Sequence, residues 1–175
     1  MRKIKFTNNE YYHIYNRGVD KREIFCCERD FVRFLTGMRE FNNGLTREQR
    51  NYAKLNESEL GSEASEPSSD SFSLAALVEI ICYCLNQNHY HFILKQLAQD
   101  GISRFIHKLS TSYTNYFNKK YDRSGSLFQG KYKAIHIDTN EYLLWLSGYV
   151  NGNAEVHKIA KAEDYKWCSY QDYLG

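Results

Sequence analysis

The chain has 175 residues, room for one domain of ordinary size with an insertion. Hydrophobic residues make up 42% and aromatics 15%, with fifteen tyrosines and one proline, which excludes a disordered or collagen-like chain. Lys and Arg number 23 against 21 Asp and Glu, a net charge of only +2. No apolar run approaches the roughly 18 residues of a membrane span, so no membrane partner is expected. Met1 to Phe6 is basic and runs into polar Thr7-Asn8-Asn9-Glu10, so no signal-peptide apolar segment is expected either. Five cysteines (Cys26, Cys27, Cys82, Cys84, Cys168) without a CxxC pair read as reduced thiols in a cytoplasmic protein rather than a zinc ribbon.

Tyr11–Arg17 (YYHIYNR) is aromatic and β-branched and reads as a strand, stopped by Gly18. Over 28–41, Phe31, Phe34, Leu35, Met38 and Phe41 recur at helical spacing. From Asn43 to about Ser73 the chain reads as an insertion, with one short helix expected around Arg47 to Leu55. Its part from Asn56 to Phe72 holds five acids, no base and the only proline, too little apolar surface to offset its ordering entropy. Without that stretch 23 bases face 16 acids, so the remaining body carries +7.

Leu77–Leu85 and His89–Lys95 are strand-like and flank a short polar turn, the pattern of an antiparallel hairpin. Ser103–Tyr121 has the apolar spacing of a helix, ended by Ser124-Gly125. Lys131–Ile137 alternates as a strand. Thr139 then resembles an N-cap for a helix through Val150, whose last turn Gly152 weakens. The order is β-α-β-β-α-β plus a further helix. That is the α+β, ferredoxin-like pattern of one antiparallel sheet with helices packed on it.

Three groups of residues could carry chemistry. His89 and His91 flank Tyr90 on a strand, so they project from one face, about 7 Å apart at the backbone, and their imidazoles can converge on a metal ion. Tyr90 should point into the opposite layer. Tyr149 and Asn153, four apart at the end of the last helix, would present a phenol and an amide oxygen side by side. Taken alone, each pair is commoner as ordinary surface or core residues than as a site. From Gly101 to Ile137 seven bases face a single acid and alternate with aromatics, the composition of a single-strand nucleic-acid groove. Phe105, Tyr113 and Phe117 read as core. Lys119, Lys120, Arg123, Lys131 and Lys133, clustered around a turn, read as phosphate contacts, and Arg17 joins them as a DNA-binding candidate.

The segments YHIYNRG (12–18), NHYHFILK (88–95), GSLFQGKYKA (125–134), YVNGN (149–153) and DYKWCSYQDYLG (164–175) follow one another in an order that resembles the single-tyrosine HUH transposases, particularly the REP-associated tyrosine transposases of bacteria. The resemblance spans nearly the whole chain apart from about 43–73. It implies the HUH nuclease fold, metal ligation by His89, His91 and Asn153, and Tyr149 as nucleophile on a C-terminal helix. It also implies Mg²⁺ or Mn²⁺ as cofactor, single-stranded or hairpin DNA as partner, a monomer or homodimer, and a cytoplasmic, nucleoid-associated location. The activity implied is cutting and rejoining of DNA through a 5′-phosphotyrosine; the alternative is a domesticated, non-catalytic binder of structured DNA or RNA. Two places depart from the family's usual pattern. Gln87 stands where proline is common, and Asn153-Ala154-Glu155-Val156-His157 replaces the more usual Asn-Pro-Val-Arg, which removes an arginine and adds an acid. His157 reads as a surface histidine.

Overall fold

The computed structural model describes residues 4–43 and 76–174. The expected insertion helix near 47–55, and all of the acidic stretch from 56 to 72, lie outside the described residues. Strand β1 (Tyr11–Arg17) leads into helix α1 (Glu28–Phe41), the hairpin β2 (Val78–Asn86) and β3 (His89–Gln96), helix α2 (Gly101–Lys120) and strand β4 (Lys133–Ile137). Helix α3 (Asn140–Asn151), a single turn α4 (Asn153–Val156) and the short α5 (Tyr170–Leu174) follow. The strands form one sheet in the order β2-β3-β1-β4, with every pair antiparallel, so the ferredoxin-like arrangement expected from the element order is the one observed. Among the described residues no helix is long and apolar enough to cross a membrane.

The period of two along each strand divides the chain's apolar residues between two layers. Tyr12, Ile14, Tyr90, Phe92 and Leu94 face α1 and α2 and form the larger core with Phe34, Phe105, Leu109 and Tyr113. The two helices approach closely at Gly37, where a Cβ would come 2.9 Å from Leu109 Cδ1. The opposite face carries a smaller core of Cys82, Cys84, Ile93 and Ile137 under Leu146 and Val150 of α3. Thus Tyr90 enters the helical layer while its neighbours His89 and His91 emerge on the α3 side.

Asp30 joins the start of α1 to the end of α2. Its carboxylate accepts from the backbone amides of Cys26 and Cys27 at 2.9 and 3.3 Å, which caps α1. It also accepts from Lys120 Nζ at 2.5 Å and from the hydroxyls of Tyr116 and Tyr121 at 3.0 and 2.7 Å. The outer edge of β2 is covered by the C-terminal segment: Leu85 N donates to Trp167 O, and Ser169 N to Tyr83 O. An exposed strand edge is thereby removed.

Two expectations are corrected. Strand β4 begins at Lys133 rather than Lys131. Tyr15 pairs with Lys133, yet Gly18 bridges Phe128, so the chain carries two more residues on the β4 side than on β1 and cannot stay in register. Gln129 N donates to Arg17 O within that excursion, and Gly130 takes a positive φ of 67° there. The second correction concerns the last helix. Thr139 does cap it, accepting from Tyr142 N at 3.1 Å, but α3 stops at Asn151 and Asn153 opens a separate turn. Tyr149 and Asn153 therefore do not share one continuous helix.

Candidate active site

The register builds the site. His91 lies between Tyr15 of β1 and Cys84 of β2, and His89 between Arg17 and Asn86, so all of these side chains leave the same face of the sheet. The rings of His89 and His91 are 5.2 Å apart and nearly perpendicular. The α3 layer adds Tyr149, whose ring stands edge-on to His91 at 6.0 Å. The turn after α3 adds Asn153, fully buried, with Oδ1 3.3 Å from His89 Nε2. A cleft of about 590 Å³ opens over the two histidines, bordered by the basic residues Arg17, Lys21 and Lys133 and by His157.

Three polar residues support these groups. His89 Nδ1 lies 2.6 Å from Asn88 Oδ1, an acceptor, so the proton sits on Nδ1 and Nε2 presents its lone pair. Asn86 Nδ2 lies between the two acceptors of the site, donating to Asn153 Oδ1 at 2.5 Å and to His89 Nε2 at 2.9 Å. His13 Nε2 lies 2.8 Å from His91 Nδ1, which leaves His91 Nε2 as the nitrogen available to a ligand. Burial pushes the His91 imidazole down to about 3, reinforced by the neighbouring His13, His89 and His157. Burial alone takes His13 down to about 4. His89 is also lowered, chiefly by burial, with the neighbouring His157 and Arg17 adding to it. All three rings are thus neutral near pH 7, the form in which imidazole ligates a metal.

The donor set fits one divalent cation. His89 Nε2 and Asn153 Oδ1 are both acceptors and both take a hydrogen bond from Asn86 Nδ2, so a cation held by the two would take the place of that amide N–H group. The Nδ2 of Asn153 is buried without a hydrogen-bond partner, so only its oxygen is engaged. Among the described residues no three His, Cys, Asp or Glu side chains form a metal-binding group. Any site here is two imidazoles and an amide, not a carboxylate cage. Such a mixed set suits Mn²⁺ at least as well as Mg²⁺, which is harder and prefers oxygen.

The expected DNA contacts separate. Arg17 and Lys133 border the histidine cleft; Arg17 Nε donates to Gln129 Oε1, and Lys133 Nζ lies 5.9 Å above the Tyr15 ring. Lys131 faces a different cleft, of about 670 Å³, between α2, residues 4–6 and the segment that precedes β4. Lys119 is exposed at the end of α2. Arg123 closes the following turn by donating to Asn118 Oδ1 at 2.6 Å and Ser126 O at 3.3 Å. Lys120 pairs its ammonium with buried Asp30, away from the histidines. His157 is exposed, as expected, yet its ring packs 4.9 Å from His89 and belongs to the cleft. His13, Tyr15 and Asn86 were not singled out from the sequence. The alternation His13-x-Tyr15-x-Arg17 was the available signal, but using it requires the β1–β3 register.

The family model described as Transposase IS200 like matches residues 66–153, half of the chain, and includes His89, His91, Tyr149 and Asn153. The chain belongs to the IS200-like transposase family. Among solved structures, this transposase-family chain is similar to a REP-associated tyrosine transposase bound to a REP hairpin. The TM-score is 0.66 at 10% identity, over 99% of this chain and 84% of that one, a likeness of fold. A second similar chain is a Deinococcus radiodurans R1 protein described only provisionally as a transposase, 12% identical over 92% of this chain and 99% of that one, with a TM-score of 0.41. No curated protein matches the chain.

Proposed function

We propose that this IS200-like family member is a metal-dependent single-stranded DNA endonuclease and strand transferase. It would act next to hairpin DNA through a covalent link to Tyr149. The observation that carries the reading is the meeting of four groups: Tyr149 beside His91, and Asn153 beside His89, under a basic rim. Family membership and the fold shared with a hairpin-bound transposase support the same reading.

His89 Nε2, His91 Nε2 and Asn153 Oδ1 would hold Mg²⁺ or Mn²⁺. When bound, the cation supplies Lewis-acid neutralisation and orientation of a scissile phosphate. The protein's own groups do the rest. Arg17 and Lys133 draw the phosphate backbone to the cleft. The Tyr149 hydroxyl releases its proton to solvent as its oxygen attacks phosphorus in line, the P–O3′ bond breaks, and the 3′ oxygen takes up a proton from solvent and leaves as a hydroxyl. The product is a 5′-phosphotyrosine, which divides the transfer into two steps. Attack by another 3′ hydroxyl then expels Tyr149 and restores a phosphodiester without ATP. A phenol is more acidic than an alkanol and is the better leaving group in that return step.

The test is incubation with hairpin DNA carrying single-stranded flanks and Mn²⁺, followed by denaturing electrophoresis. A protein–DNA adduct is expected for the native chain and none for Tyr149→Phe, which still binds the DNA. An adduct in Tyr149→Phe would overturn the tyrosine assignment. Absence of any adduct in the native chain, with hairpin binding retained, would favour the non-catalytic binder.

A further inference from the structure

Tyr142 and Tyr149 of α3 are partly buried, but Trp145 is 64% exposed. It forms no part of the two cores, and neither the metal ligands nor the nucleophile requires it. Tyr142, Trp145 and Tyr149 recur at i, i+3 and i+7, which lines them along one stripe of α3. Their rings are nearly parallel. Trp145 lies 6.1 Å from Tyr142 at 18°, and 5.9 Å from Tyr149 at 5°. Such separations are at the wide end for stacked rings, so the rings are offset, and Trp145 keeps most of its surface open. The result is a stepped aromatic surface that ends at the proposed nucleophile.

We propose that Trp145, with Tyr142, is a stacking platform for an unpaired nucleobase of the DNA strand whose phosphate is presented to Tyr149. This inference rests on the reading of Tyr149 as nucleophile and adds a base-binding subsite to it. Three observations select a nucleobase as occupant. The surface is built from ring faces, which match any base and need no hydrogen-bond code. It is continuous with Tyr149, so a base on Trp145 sits within a nucleotide's reach of the attacking oxygen. The basic residues Arg17 and Lys133 border the cleft over His89 and His91, where the sugar–phosphate chain would run. A second copy of this chain is the less suitable occupant. A stable protein interface buries on the order of 800 Å² per partner. The strongly exposed large apolar residues of α3 are only Leu144 and Trp145, and Leu144 projects to another side of the helix.

The subsite would make the enzyme hold its strand by stacking as well as by charge, with tolerance for base identity. The experiment uses the full chain and three labelled probes of equal length: oligodeoxyadenylate, oligodeoxythymidylate and an abasic deoxyribose-phosphate oligomer. Binding is measured by fluorescence anisotropy for the native chain, Trp145→Ala and Trp145→Phe. Trp145→Ala should weaken binding of the two base-bearing probes by about 5- to 150-fold, most for adenylate, and leave the abasic probe unchanged. Trp145→Phe should recover most of the loss. Equal affinity of the native chain and Trp145→Ala for all probes, no binding of any probe, or an equal loss on the abasic probe would each overturn the platform. So would a change in oligomeric state in Trp145→Ala, measured by sedimentation, with single-strand affinity intact. The covalent-adduct assay separates the two ideas. An adduct with no Trp145 effect removes the platform alone, and a Trp145 effect on base-bearing probes with no adduct removes the nucleophile alone.

Discussion

His13 Nε2 and His91 Nδ1 lie 2.8 Å apart in the buried face of the sheet, with their rings nearly parallel at 17°. Both rings are neutral, so one proton occupies the gap and its position sets both tautomers. If His13 donates, the proton of His91 sits on Nε2, and the nitrogen facing the cleft cannot ligate a metal. If His91 donates from Nδ1, its Nε2 lone pair is free. A metal-competent His91 therefore needs His13 as acceptor, the role that hydrogen-bonded partners of ligating histidines commonly have. His13→Leu is expected to weaken Mn²⁺ binding by about 10- to 100-fold, measured by calorimetry or electron paramagnetic resonance. His13→Gln, whose amide oxygen can still accept, should lose less. Equal losses in the two variants would show that His13 acts only by filling space.

The same two rings make stability depend on pH. Unfolding releases them to the ordinary histidine value of 6.5, whereas in the folded chain they sit near 4 and 3. Below pH 6.5 the unfolded chain binds protons that the folded one refuses, so stability falls as pH falls, from both groups down to about pH 4 and from His91 alone to about pH 3. The slope is at most about 1.4 kcal/mol per pH unit for each group. In chelator, the thermal midpoint should drop between pH 7 and 5. His13→Phe/His91→Phe should flatten that drop; an unchanged slope would place the acid sensitivity elsewhere.

How much of this was legible in the sequence depends on range. His89 and His91 could be paired from the strand period alone, and Thr139 could be placed as a cap from its neighbours. His13 could not be joined to His91, because 78 residues separate them and only the antiparallel register brings them together. Asn153 reached the site by a different route from the one expected. Helix α3 ends at Asn151, and Asn153, in the turn that follows, has its side chain among Asn86 and His89. Lys120 looked like a phosphate contact because it follows Lys119 in a basic run. Its partner Asp30 lies 90 residues earlier, and only the packing of α1 on α2 reveals it.

Asp30 is therefore expected to matter for stability rather than for DNA. Burial alone would raise its carboxyl, but Lys120, Tyr121, the Cys26 amide and Tyr116 outweigh it and hold it below the ordinary aspartate value. Asp30→Asn should destabilise the chain by about 2 kcal/mol near neutral pH, the scale for weakening charge-assisted hydrogen bonds to a buried carboxylate whose partner Lys120 reaches solvent. Because the folded value is depressed, this contribution is present above the ordinary carboxylate range and is lost as pH falls through the folded value. Urea unfolding of both forms at pH 7 and pH 3 checks the sign: the gap should narrow in acid. A constant gap would mean that hydrogen bonds rather than charge carry the effect.

Lys133 and Lys120 then make a controlled pair, since both were expected to contact phosphate and only one borders the cleft. Each phosphate contact contributes close to one unit to the slope of log affinity against log salt, somewhat less for single strands. Lys133→Ala should lower that slope by about 0.7 on single-stranded DNA and weaken binding similarly for different sequences. Arg17→Ala should do the same, with further weakening from loss of its bond to Gln129. Lys120→Met should leave the salt slope unchanged while lowering the urea midpoint, because its charge is spent on Asp30. A salt-slope change in Lys120→Met, or none in Lys133→Ala, would reverse the placement of the phosphate track. Titrations of the three variants and the native chain over a range of salt concentrations decide between these outcomes.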